Sequence, residues 1–189
     1  MPSWSLDGTR IAFERRPRTG DRYNLYVINA DGSSLRQLTH GHSFDGTPSW
    51  APDGRILFVS DRAAHRPKAC HLCASLYVLR LSDGRSTRIT RLSVASLLPA
   101  WSRDGERIAW SRAPRYDAIF SLYVMSSNRT GARRLDRVGE GPAWSPDSGA
   151  IVYSSRGGLA LINPDGAGRR QLTRDGGGSP SWRPVSAGS

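Results

Sequence analysis

Short apolar runs of three to five residues recur along this 189-residue chain, each closed off by polar turn residues. Ile11-Ala12-Phe13, Ile56-Leu57-Phe58, Ile108-Ala109-Trp110 and Ile151-Val152-Tyr153 form one series. Leu25-Tyr26-Val27, Leu76-Tyr77-Val78, Leu122-Tyr123-Val124 and Leu159-Ala160-Leu161 form a second. These runs are rich in β-branched and aromatic residues and are bounded by Gly, Pro and Asp, the signature of short strands. No stretch sustains a 3.6-residue period, so an array of helices is excluded.

The runs belong to a larger repeat. Four segments open alike, at Pro2-Ser3-Trp4-Ser5-Leu6-Asp7-Gly8, Pro48-Ser49-Trp50-Ala51-Pro52-Asp53-Gly54, Pro99-Ala100-Trp101-Ser102-Arg103-Asp104-Gly105 and Pro142-Ala143-Trp144-Ser145-Pro146-Asp147-Ser148. A fifth opening, Pro180-Ser181-Trp182, stands near the end. The tryptophans of successive openings lie 46, 51, 43 and 38 residues apart, a period that suits propeller blades once helices are ruled out. Each repeat reads as four strands. Strand A is Pro-x-Trp-Ser, strands B and C are the two apolar series, and strand D is Arg-Gln-Leu-Thr at 36–39 and 170–173 or Arg-Ile-Thr at 88–90. Pro-Asp-Gly chemistry joins A to B, and Ala30-Asp31-Gly32, Ser82-Asp83-Gly84 and Pro164-Asp165-Gly166 join C to D. One such sheet cannot bury both faces, whereas stacking sheets radially does so.

The expected fold is therefore all-β: one β-propeller domain of about four four-stranded antiparallel blades. The blades fall near 2–47, 48–98, 99–141 and 142–179, and 180–189 starts a further repeat or supplies a closing strand. The repeated Trp is expected to pack between neighbouring blades.

The pattern Pro-x-Trp-Ser-Pro-Asp-Gly, Ile-Ala-Phe, Leu-Tyr-Val-x-Asn-x-Asp-Gly and Arg-x-Leu-Thr resembles the WD40-like (PD40) repeat of the TolB propeller family. The same repeat precedes hydrolase domains of the prolyl-oligopeptidase type. The resemblance covers nearly the whole chain. Departures touch turns: Leu6 and Arg103 replace Pro, Ala51 replaces Ser, Ser148 stands for Gly, and Ser127-Asn128-Arg129-Thr130-Gly131 replaces Asn-x-Asp-Gly. TolB-like propellers resemble six-bladed wheels, so four blades suggest an arc of a longer one. The resemblance implies a non-catalytic, protein-binding scaffold at the bacterial cell envelope, periplasmic or extracellular. It leaves two alternatives: the substrate-gating propeller of a larger peptidase, or a binder of an anionic polymer or glycan.

Charge adds one feature. The formal net charge is +11, carried by arginines apart from Lys68. In an up-and-down blade the B–C loops share one end, and here they hold Arg15, Arg16, Arg18, Arg22, Arg62, His65, Arg66, Lys68, Arg112, Arg115 and Arg156. The turn acids Asp7, Asp31, Asp53, Asp83, Asp104, Asp147 and Asp165 fall at the other end. The basic end is the candidate partner-binding face, with an acidic protein surface favoured over nucleic acid; solvation or local pairing of these arginines is the competing reading.

Catalytic chemistry is not legible. Cys70-His71-Leu72-Cys73 offers a loop disulfide, two free thiols or, with His65, a poor metal set of no usual finger spacing. His40 and His42 beside Asp45 form no known motif. A nucleophile elbow, a phosphate loop and a His-Glu-x-x-His helix are all missing, so neither an enzyme nor a cofactor is expected. No apolar run approaches the roughly 20 residues a membrane helix needs, and Met1-Pro2-Ser3-Trp4 does not read as a signal peptide. Self-association is expected if the propeller is incomplete, because raw blade faces would need covering.

Overall fold

The computed structural model describes residues 1–16, 22–63, 74–91, 95–114, 119–176 and 178–182. Every regular element among them is a strand. The strands are β1 (Ser3–Trp4), β2 (Arg10–Arg15), β3 (Asn24–Asn29), β4 (Arg36–Gln37), β5 (Asp45–Trp50), β6 (Ile56–Ser60), β7 (Ser75–Leu79) and β8 (Ser86–Arg88). They continue as β9 (Ala95–Trp101), β10 (Arg107–Ala113), β11 (Ser121–Ser126), β12 (Arg133–Asp136), β13 (Glu140–Trp144), β14 (Ile151–Ser155), β15 (Gly158–Ile162) and β16 (Arg170–Gln171). They build four four-stranded sheets, each a meander in chain order. The chain divides into two compact units, residues 1–99 with 112–118, and residues 100–111 with 119–189.

The A–B turn explains the Trp-Ser-Pro-Asp-Gly motif. In the first blade Ser5 Oγ donates to Asp7 Oδ1 at 2.6 Å and accepts from Arg10 N at 2.9 Å. The same Oδ1 accepts from Thr9 N, and Gly8 takes a left-handed φ of 69°. Ser102 with Asp104 and Ser145 with Asp147 repeat the arrangement. The Asp-Gly pairs of the C–D hairpins read as two-residue turns, but the loops are longer. Asn29 N donates to Ser33 O and Gly32 N to Asn29 O, with Gly32 at φ 85°, so three residues make the loop.

The Leu-Thr ending of strand D also has a local cause. Thr39 Oγ1 accepts from Leu25 N, Thr90 Oγ1 from Leu76 N and Thr173 Oγ1 from Leu159 N, at 2.8–3.0 Å. Each threonine satisfies an N–H of strand C where the short strand D stops. In the third repeat Asp136 takes this place. It accepts instead from Tyr153 Oη at 2.5 Å and Arg169 Nε at 2.7 Å.

Strand A departs from expectation. It begins before the proline, at Asp45, Ala95 and Glu140. Its register shifts between Gly46 and Ser49, and again between Glu140 and Ala143. The residue before each proline is left-handed: Thr47 at φ 47°, Leu98 at 49° and Gly141 at 58°. The bulge re-aims one N–H. Thr47 N donates to Glu14 Oε2 and Gly141 N to Ser111 Oγ, both acceptors on strand B of the preceding blade.

Blade joints bury the core. In the first unit Trp50, Ile56, Phe58, Tyr77 and Leu79 pack on Ala12, Leu25 and Val27. In the second, Trp144, Ile151, Tyr153, Ala160 and Ile162 pack on Ala109, Leu122 and Val124. Trp50 Nε1 donates to Ser3 O and Trp144 Nε1 to Ala100 O, each at 3.0 Å. Arg10 lies 4.9 Å from the Trp50 ring and Arg107 5.4 Å from that of Trp144. The tryptophans thus pack between blades, as expected, with a cation on the ring and a carbonyl on the nitrogen.

Candidate functional site

The B–C end of each sheet is where strand B stops and strand C starts. In the first unit this end carries Arg15 at the tip of β2, Arg16 just beyond it, Arg22 before β3, Arg62 after β6, and Arg112 on β10. Arg15 is exposed, with its guanidinium 5.7 Å from the Tyr26 ring centroid. Arg22 reaches Asp61 at 3.7 Å. In the second unit, Arg156 is exposed in the tight turn between β14 and β15. Arg18, Arg66, Lys68 and Arg115 lie outside the described residues, as do Cys70 and Cys73 with their candidate disulfide.

Arg62 has a different role from the others. Its Nη2 donates to both carboxylate oxygens of Asp45 at 2.9 Å, and its Nε donates to Ser60 Oγ at 3.0 Å. The guanidinium also covers the rings of Phe58 and Tyr77, at 5.1 and 5.0 Å. The Asp45 side chain is 1% exposed, against 30% for Arg62. Burial raises the Tyr77 phenol above its usual range, opposed by Arg88 and Arg62. This cation is committed to holding a buried carboxylate, so its charge is largely balanced within the blade.

Sequence reasoning placed the acids at the opposite end and so missed their share here. Asp45 opens strand A, and Asp61 follows strand B, where it accepts from Phe44 N at 2.8 Å. Glu14, on β2, accepts from Thr47 N and from the terminal ammonium of Met1. The signal available was a charged residue at the edge of each apolar run, read then as loop. His40 and His42 are exposed, while Asp45 beside them is buried against Arg62. Among the described residues no group of three His, Cys, Asp or Glu side chains is placed to hold a metal, and no helix is long and apolar enough to cross a membrane.

At the turn end, the Ser5 hydroxyl, then the Thr9 N–H and hydroxyl, hold the exposed Asp7 carboxyl down at about 2. Asp147 is lowered in the same way by Ser145 and Gly149 N–H, and Asp31 by Ser33. For Asp104, burial pushes upward, but bonds from Ser102, Glu106 N–H and Arg107 outweigh it and the net shift is down. These acids are fixed by their own turns.

Four meander sheets, paired within each unit through a buried tryptophan, define a β-propeller repeat protein. The model of the TolB beta propeller domain (PD40) matches residues 1–186, and the chain belongs to that family. A TolB homolog of Chlorobaculum tepidum is 32% identical over 135 residues, covering 71% of this chain and 28% of its own. An uncharacterized peptidase of Bacillus subtilis is 31% identical over 112 residues, covering 57% of this chain and 16% of its own. The crystal structure of TolB from Acinetobacter baumannii superposes with a TM-score of 0.71 at 20% identity, over 92% of this chain and 43% of that one. The chain thus spans less than a third of either relative's length.

Proposed function

We propose that this chain is a non-catalytic protein-binding propeller module of the bacterial cell envelope, engaging an acidic protein surface through the B–C loop ends. One observation carries the reading. The polar residues that recur from blade to blade are consumed by turns and joints, whereas the strand B endings differ: Arg15-Arg16, Asp61-Arg62, Arg112 and Ser155-Arg156. A repeated scaffold with divergent, charged loop ends is built to present a surface. TolB homologues among the relatives support the envelope setting.

The test is cross-linking in the source cells, comparing the chain with an Arg15→Glu/Arg16→Glu/Arg156→Glu variant. The reading expects a defined cross-linked protein to disappear with the variant while the circular dichroism spectrum is unchanged. An unaltered cross-link would refute it.

The Bacillus subtilis peptidase favours a second reading, a propeller that admits substrate to a hydrolase domain. An α/β-hydrolase reading frame continuous with codon 189 would decide for it.

A further inference from the structure

We propose that the cleft between the A–B turns of the first two blades binds the C-terminal carboxylate of a peptide segment, with the Arg10 guanidinium and the Asp7 N–H as its donors.

Three repeats place an arginine at the same position, just before the apolar run of strand B: Arg10, Arg55 and Arg107. Two of them pair within their own turn. Arg55 Nε lies 2.7 Å from Asp53 Oδ2, and Arg107 Nη2 lies 3.1 Å from Asp104 Oδ2. Arg107 Nη2 also reaches Ser148 O at 3.4 Å. Arg10 differs. Its guanidinium lies 4.9 Å from the Trp50 ring centroid and has neither a carboxylate nor a carbonyl partner among the described residues. A half-buried guanidinium whose N–H groups are unpaired is a strong seat for a carboxylate.

The joint of the second unit shows what the same place holds when it is filled. There Ser148, in the turn of the fourth blade, accepts from Asp104 N through its hydroxyl at 3.1 Å. In the first unit Asp7 is the counterpart of Asp104, and Gly54 that of Ser148. Gly54 supplies no hydroxyl, and the space where a Cβ would stand has no neighbour within 4 Å. A cleft of about 330 Å³ results, lined by Leu6, Asp7, Arg10, Trp50, Pro52 and Gly54. Trp50 is only 7% exposed, so the cleft belongs to a packed joint with both of its blades in place.

The walls select the ligand. Leu6 and Pro52 are apolar and exposed, and they stand beside one guanidinium and one N–H. The Asp7 carboxylate does not take the Arg10 donors. Its Oδ1 accepts instead from Ser5 Oγ, Thr9 N and Thr9 Oγ1 at 2.6–3.0 Å. The C-terminal residue of a peptide joins a carboxylate to a side chain through a single carbon, and a short aliphatic one suits these walls. One carboxylate oxygen takes on Asp7 N the place that the Ser148 hydroxyl takes on Asp104 N, and Arg10 grips the pair. The cleft lies at the turn end of the blades, away from the loop-end arginines, and stands or falls apart from them.

Titration of the isotope-labelled chain with N-acetyl-Ala-Leu tests this, read by NMR at the Asp7 amide and the Arg10 Nε–H. Both signals are expected to move and to saturate in the millimolar range, as suits a few hydrogen bonds in an open cleft. The C-terminal amide of the same dipeptide is expected to move neither. N-acetyl-glutamate α-amide, which offers only a side-chain carboxylate, is expected to bind about tenfold more weakly. Gly54→Ser puts a hydroxyl where Ser148 has one, and Arg10→Gln removes the cation. Each is expected to abolish the Asp7 shift with the circular dichroism spectrum unchanged. Equal shifts with acid and amide, equal affinity for the side-chain carboxylate, unaltered binding by either folded variant, or no movement at tens of millimolar peptide would each overturn the proposal.

Discussion

Arg62→Ala removes the only basic side chain in contact with the Asp45 carboxylate among the described residues. The size of the effect follows from the two exposures. Asp45 is out of water, so losing its partner strands a buried charge, which costs about 3–5 kcal/mol when both partners are buried. Water reaches the Arg62 side chain, 30% exposed, and that screening lowers the figure to about 2 kcal/mol. Loss of the contacts with Phe58 and Tyr77 adds about 0.5–1 kcal/mol. Arg62→Ala is thus expected to destabilise the chain by about 3 kcal/mol. Adding Asp45→Asn replaces the stranded charge by an amide, so the double variant is expected to be less destabilised than the sum of the single ones by about 1–2 kcal/mol. Urea unfolding followed by tryptophan fluorescence reads both, with the m-value checking that the unfolding unit is unchanged. An Arg62→Ala chain within about 0.5 kcal/mol of wild type, or strictly additive variants, would refute the assignment of Arg62 to the blade core. The result also bears on binding. If the assignment holds, partner loss in an Arg62 variant reports folding, and only the other loop-end arginines are informative.

Further outcomes follow from the turns and the titrating groups beside them. Arg129 holds a φ of 74° at the place where Gly32 and Gly166 stand in their hairpins. Arg129→Gly is therefore expected to stabilise by up to about 1 kcal/mol in urea. Ser148→Gly, at φ 59°, is expected to gain nothing, because its buried hydroxyl also accepts from Asp104 N at 3.1 Å. Ser145→Ala leaves Ala150 N without its acceptor and is expected to cost about 1–2 kcal/mol, read by thermal unfolding. Asp7 is held down at about 2 and Asp147 below the usual carboxylate range, so the contribution of each is complete above about pH 4 and is lost as pH falls through its lowered value. Between about pH 4 and 2 the stability of Asp7→Asn in urea is expected to fall less with pH than that of wild type; an equal fall would contradict it. Tyr153, raised by burial and by Asp136, contributes in the opposite sense, and its share is lost above about pH 10.

Strands B and C and the serine-aspartate turns were legible because each depends on residues within one repeat, and the tryptophan joints because the same residue recurs at the same place in every repeat. Alternation gives the strand, and the side chains of a turn bond to their own backbone. The start of strand A was not legible. A left-handed residue interrupts the alternation three positions before the tryptophan, and only Gly141 announces it; Thr47 and Leu98 adopt the same φ with no glycine to mark them. The Asp45–Arg62 pair was missed for another reason. The two residues are 17 positions apart in sequence, at the open end of an A–B hairpin, and only the register of β5 on β6 brings them together. Charge counting therefore assigned Arg62 to the surface and overlooked the acid beneath it.

Two departures from the repeat meet at one joint. In the fourth blade Ser148, in place of glycine, binds Asp104 of the blade before it. Asp136, in place of threonine, takes Tyr153 and Arg169, beside the repeat's own Arg133, which reaches forward to the Pro164 and Asp165 carbonyls. These substitutions add polar bonds across one joint. On the other side of the same blade, Ala150 deletes the arginine that covers a tryptophan elsewhere, and Leu172 is left half in water. A blade that tightened both joints would be a uniform spacer. This one grips its predecessor through added hydrogen bonds.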